Sequence, residues 1–127
     1  MSLNQRNFEA LQHFAAYAPA TVTATGAGSA IDLLGYDGDV VFVMQATAAG
    51  VSAGFKVRIE HSDTTTAGDF TTITGGGFTD IGNAAYVGSV AISKDDVKRY
   101  LRVNIYEEIG TASSVVSVTG FGVKKYQ

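Results

Sequence analysis

Six consecutive residues, Phe55-Lys56-Val57-Arg58-Ile59-Glu60, alternate apolar and charged without an error. A period of two belongs to a β-strand, whose successive side chains point to opposite faces of a sheet. The register places Phe55, Val57 and Ile59 inward and leaves Lys56, Arg58 and Glu60 in water. The stretch from Arg99 to Glu107 alternates in the same way, with Leu101, Val103 and Ile105 on one face and Tyr100, Arg102, Asn104 and Tyr106 on the other. Val40 to Ala46 is apolar on both faces, as expected of a strand with neighbours on either side. Strands with one apolar face need a second layer to cover it, so the pattern already demands a packed β architecture.

Glycine and proline usage agrees, since 15 glycines and a single proline in 127 residues punctuate short strands and tight turns. Ala20 to Thr25 and Ala30 to Leu34 flank Gly26-Ala27-Gly28-Ser29 and read as a hairpin. Ala48 to Gly54 and Ser62 to Asp69 read as loops. Phe70 to Thr74, Phe78 to Ile81 and Ala85 to Ile92 are weaker strands, separated by Gly75-Gly76-Gly77 and by Gly82-Asn83. Ser93 to Lys98 has the form of one helical turn capped by Ser93, and Ser114 to Val123 is the last strand. The expectation is an all-β fold: a single antiparallel β-sandwich or barrel-like domain of about eight or nine short strands.

The beginning of the chain reads differently. From Asn4 to Tyr17, the residues Phe8, Leu11, Phe14 and Ala15 recur at helical spacing, and Ala18-Pro19 would end the helix. Residues 1–19 are therefore expected to form an arm with a short helix, and residues 20–127 the sandwich domain. Such a helix lies near the ~12-residue limit of independent stability, so it must dock on its own sheet or on a neighbour.

Composition narrows the chemistry. There is no cysteine, which removes disulfides and thiolate metal sites. Nine Lys and Arg against twelve Asp and Glu give a net charge of -3, opposite in sign to a protein that binds phosphate backbones. The longest aliphatic run, Val40 to Met44, is far short of the ~20 residues that span a bilayer. Met1 to Glu9 lacks the basic-then-apolar order of a secretion signal, so export by that route is not expected.

Gly50-Val51-Ser52-Ala53-Gly54 matches the GxSxG turn of serine hydrolases, but a strand rather than a helix follows it, and His61 and Asp63 come in the wrong order. His13 and His61 are isolated from one another in sequence. Asp37, Asp39, Asp63 and Asp69 offer oxygen ligands without the spacing of a calcium loop. Glu107 and Glu108 are adjacent on a strand and so face opposite ways. No catalytic residue, metal site or cofactor is expected, and neither is a nucleic-acid, membrane or small-molecule partner.

Several short motifs carry a family resemblance. They are Asn4-Gln5-Arg6-Asn7-Phe8-Glu9-Ala10-Leu11 running to Ala18-Pro19-Ala20, then Thr23-Ala24-Thr25-Gly26 with Ile31-Asp32-Leu33 and Gly35-Tyr36. Val57 to Asp63, Phe70-Thr71-Thr72-Ile73 and Val97 to Val103 follow. In these pieces the chain resembles the small all-β capsid decoration, or cement, proteins of tailed phages, and the likeness spans most of its length. The resemblance implies a structural virion protein on the outer surface of the capsid, made in the host cytoplasm, which binds the major capsid protein and self-associates, commonly as a homotrimer. It makes Phe8, Leu11, Phe14 and Tyr17 the expected contacts with the capsid or a neighbouring copy. A carbohydrate-binding or adhesin-like sandwich and a tail or baseplate component are the alternatives.

Overall fold

A computed structural model describes residues 11–124. Among the described residues nine strands follow one another: β1 (Leu11–Val22), β2 (Gly26–Ala27), β3 (Ile31–Asp32), β4 (Tyr36–Ala46), β5 (Phe55–Ser62), β6 (Thr71–Gly77), β7 (Tyr86–Ile92), β8 (Tyr100–Glu108) and β9 (Ser114–Lys124). They form two antiparallel sheets. One has the order β1-β9-β4-β7, the other β2-β8-β5-β6 with β3 also paired to β8. Of the two expected architectures, the chain adopts the sandwich.

Alternation builds the layer between the sheets. Phe42, Met44, Val116 and Val118 face inward from the first sheet, and Phe55, Val57, Ile59, Leu101, Val103 and Ile105 from the second. None of these ten is more than 1% exposed. Register keeps them in layers: Ile59 lies opposite Val103 on β8, and Met44 lies opposite Val118 on β9. Val40 to Ala46 is central as expected, with β9 on one side and β7 on the other.

The expected N-terminal helix is not formed over the described residues; the segment from Leu11 is the edge strand β1, paired along β9. Of the expected stripe, Phe14 turns inward while Ala15 lies on the outward face, so the helical spacing does not mark one face of this strand. Register shifts fall between Ala15 and Tyr17 and between Tyr17 and Ala20. Phe14 and Ala16 take the inward positions, and the first shift brings Tyr17 to the same side, so 14 and 17 share a face as they would on a helix. Pro19 lies at the second shift, on an edge strand, where its missing N–H removes no ladder bond from the middle of a sheet. Phe8 lies outside the described residues.

Phe14 occupies space that a glycine leaves open. Its ring sits 6.0 Å from Phe42, edge-on, and 5.4 Å from Tyr36. A Cβ on Gly120, the residue opposite it, would come within 2.3 Å of that ring. Gly122 makes the same allowance for the Tyr36 ring, with 2.7 Å.

Three further expectations are corrected. The segment around Gly26 is no hairpin: β2 and β3 each pair with β8, so the chain leaves the first sheet after Val22 and runs along the edge of the second. The glycine run is not a turn between strands but the end of β6. There Arg58 pairs with Gly77 while Glu60 pairs with Thr72, so β6 carries a bulge whose Gly75 has a φ of 79°. The turn at Lys94–Asp96 is a 3-10 turn, and Ser93 makes no side-chain cap to it. In contrast, Asp32 does cap the preceding short turn at Leu33–Gly35, accepting the Leu34 N–H at 3.0 Å.

Replacing Phe14 with Ala is expected to cost about 2–3 kcal/mol in urea unfolding, somewhat less than the ~3–5 of a fully buried phenylalanine. A change within about 0.5 kcal/mol, the range of ordinary surface substitutions, would contradict its place in this core.

Candidate interaction surfaces

The two sheets turn outward faces of opposite character. On the second sheet, the outward positions of β5 and β8 hold Arg58, Glu60, Arg102, Asn104 and Tyr106. Glu60, expected in water, is 2% exposed. Its Oε1 accepts from Arg102 Nε at 2.9 Å and lies 2.8 Å from Arg102 Nη2. Its Oε2 accepts from Arg58 Nε at 2.8 Å and from Asn104 Nδ2 at 3.0 Å. The Arg58 guanidinium lies 4.1 Å over the Tyr106 ring, and that of Arg102 lies 4.4 Å over Phe70. Phe70, Arg102, Glu60, Arg58 and Tyr106 thus form one row across three strands' width of surface.

Burial alone would raise the Glu60 pKa, but the hydrogen bonds from Asn104, Arg102 and Arg58 outweigh it and hold the carboxyl below its ordinary value of 4.5. A carboxylate so held, with donors on both oxygens, is a poor proton acceptor; it braces the strands. The sequence signal for it was the alternation itself, which put two cations and an amide on strand positions beside an acid of the same face.

The outward face of the first sheet is made of Val41, Val43 and Gln45 on β4, Val87, Ser89 and Ala91 on β7, Val115, Ser117, Thr119 and Phe121 on β9, and His13, Ala15 and Thr21 on β1. These positions hold no Lys, Arg, Asp or Glu; charge enters at the rim, where Asp37 pairs opposite Val123 and the exposed Asp39 precedes Val40 and Val41 on β4. Val87 is 70% exposed and Val115 47%. At one end Pro19, Gln45, Thr47, Tyr86, Val87 and Val115 border an open depression of about 380 Å³. This is a flat, uncharged face with a shallow hollow, suited to contact with another surface rather than to enclosing a small molecule.

The remaining candidate residues are dispersed. Leu11 opens β1 opposite Val123, while Phe14 and Tyr17 pack on the chain's own core. Ser52 lies in the loop before β5, in a turn where Ala53 takes a φ of 51°. His13 lies 6.4 Å from the Phe121 ring on the uncharged face. His61 Nδ1 accepts the Lys98 N–H at 3.1 Å; burial and the nearby Lys98 charge lower its pKa, with Asp63 opposing. Asp69 accepts from Thr64 Oγ1 at 2.7 Å, tying down the loop before β6. Among the described residues, no three His, Cys, Asp or Glu side chains gather as a metal site would require.

No protein-family model matches the sequence, and no curated protein does either. Among solved structures, the fold is similar to that of the K1 cleaved adhesin domain of Lys-gingipain from Porphyromonas gingivalis W83, with a TM-score of 0.53, 9% identity, and coverage of 90% of this chain and 98% of that one. The VP2 subviral particle of infectious bursal disease virus is matched at a TM-score of 0.48 and 9% identity, over 90% of this chain and 32% of that one. A structure of the Gx strain of the same virus is matched at 0.43 and 13%, over 92% and 32%.

Removal of the Glu60 carboxylate by Glu60→Ala leaves two arginines facing each other and is expected to cost about 3–5 kcal/mol. Because the folded pKa lies below the ordinary 4.5, the carboxylate's contribution is complete above that pH and is lost as pH falls through the folded value. Urea unfolding of wild type and Glu60→Gln should therefore differ most at neutral pH and converge in acid. A difference that stays constant across that range would contradict the brace.

Proposed function

We propose that this chain is a structural virion protein, a capsid decoration protein that seats on the outside of a phage head and strengthens contacts between major capsid protein subunits. The observation that carries the reading is the outward face of the first sheet, a flat surface whose middle is uncharged and whose acids lie at its rim. The resemblance to decoration proteins supports the choice of the major capsid protein as partner. A head filled with confined DNA is under outward load, and a clamp bridging subunits already held together gains from effective concentration even where each contact is weak. On this reading the chain performs no reaction, and its rigidity is its contribution.

The surface that would meet the capsid includes Val43, Val115, Thr119 and Phe121. Of the expected N-terminal contacts, Phe14 and Tyr17 pack on the chain's own core, which favours this face as the meeting surface.

An adhesin-like module is the second reading, favoured by the likeness in fold to the gingipain adhesin domain. A sugar platform needs an open aromatic face. Tyr106 and Tyr100 instead carry the guanidinium groups of Arg58 and Arg99, at 4.1 and 4.8 Å, which a glycan would have to displace.

Val115 is half exposed, so Val115→Lys should leave folding intact while placing a charge on the proposed contact. Cosedimentation with phage heads stripped of decoration should weaken by roughly tenfold or more, the loss of a single interfacial anchor. Unchanged binding by the folded variant would place the contact elsewhere, and glycan binding without head binding would favour the adhesin.

A further inference from the structure

A sandwich of two open sheets has four edges, and an edge strand offers unpaired N–H and C=O groups to any strand that comes alongside. Three of the four edges here are blunted. β1 carries Pro19 and two register shifts. β6 carries the glycine bulge, where Arg58 and Glu60 pair five residues apart on the partner strand. The β2 and β3 edge is broken into two-residue pieces and bears the Asp32–Arg99 ion pair, 2.8 Å between Oδ2 and Nη2.

The fourth edge is β7. Tyr86-Val87-Gly88-Ser89-Val90-Ala91-Ile92 pairs with β4 in unbroken register from Tyr86 opposite Ala46 to Ile92 opposite Val40. It contains no proline, no charge and no bulge, and among the described residues it pairs with β4 alone. Its Val87 is, at 70%, the most exposed of the large apolar side chains described.

We infer that β7 is the self-association edge of this protein and that it pairs antiparallel with β7 of a second copy. Neutrality makes the strand self-complementary, because no like charges meet when it lies against itself. Full overlap of the seven residues puts Ser89 on the two-fold axis, Val87 opposite Ala91 of the second copy, and Tyr86 opposite Ile92. That register keeps outward residues beside outward residues, so two sheets of four strands join into one and their uncharged faces become continuous. An antiparallel self-pairing is isologous and closes at two copies. A ring of three would need β7 to join one of the blunted edges instead. The symmetry is therefore two-fold, in place of the three-fold that the decoration-protein resemblance implies. A contact along one short strand is small, so the dimer should depend on concentration. The inference concerns the chain by itself and stands whether or not it binds a capsid.

The absence of cysteine makes the test direct. Residues facing each other across an antiparallel pair lie about 4.5–5.5 Å apart at Cα, within disulfide reach. Under mild oxidation Ser89→Cys should give a covalent dimer, while Thr111→Cys, exposed between β8 and β9, should stay largely monomeric. Sedimentation of the wild type at rising concentration should move from monomer to dimer mass, and Ser89→Lys, which sets two lysines on the axis, should abolish that shift without lowering the thermal midpoint. A wild type that stays monomeric, a trimer as the only oligomer, no excess of Ser89→Cys dimer over the Thr111→Cys control, or a dimer untouched by Ser89→Lys would each overturn the assignment.

Discussion

Everything outside the core depends on one constraint, that every second residue of the long strands be apolar and face the layer between the sheets. Phe42 and Met44 across from Phe55, Val57, Ile59 and Val103 exclude water from that layer, and burial of this kind is the main favourable term in folding. Because the period is two, fixing the inner residues also fixes which residues lie outside. The outer faces are then free to diverge, and they have. The second sheet is laced by buried and half-buried ions, while the first is left neutral.

That division has a physical logic. An acid buried among two arginines and an asparagine ties β5 to β8, at the cost of desolvating all of them. Such a face is satisfied by its own contacts and has little left to offer a partner. The neutral face has no such internal satisfaction, and it can be covered without stripping water from charges. A module whose role is to lie on another surface gains from presenting a face of that second kind, with the rigid ionic face turned away.

The strands with strict alternation were legible from sequence, because Phe55 to Glu60 and Leu101 to Ile105 each read in only one way. Three places were not, for related reasons. In β1, Leu11, Phe14 and Ala15 have the spacing of one helix face, yet on the strand Phe14 and Ala15 point opposite ways, and a single sequence does not tell the two apart. In β6, glycines that usually mark turns instead supplied a bulge. Glu60 kept a charged residue's place in the pattern while being enclosed by arginines from its own strand and the next, and enclosure is a property of neighbours that local periodicity does not carry. The edge character of β7 belongs to the same class. Its sequence reads as a modest strand, and only the sheet order shows that it is an edge.

The decoration reading is tested most directly by quantitative mass spectrometry of purified virions from the source, counting this chain against the major capsid protein. A protein spread over the whole shell is expected at a copy number commensurate with the capsid subunits. Absence from the virion, or a few copies confined to a vertex or the tail, would contradict it.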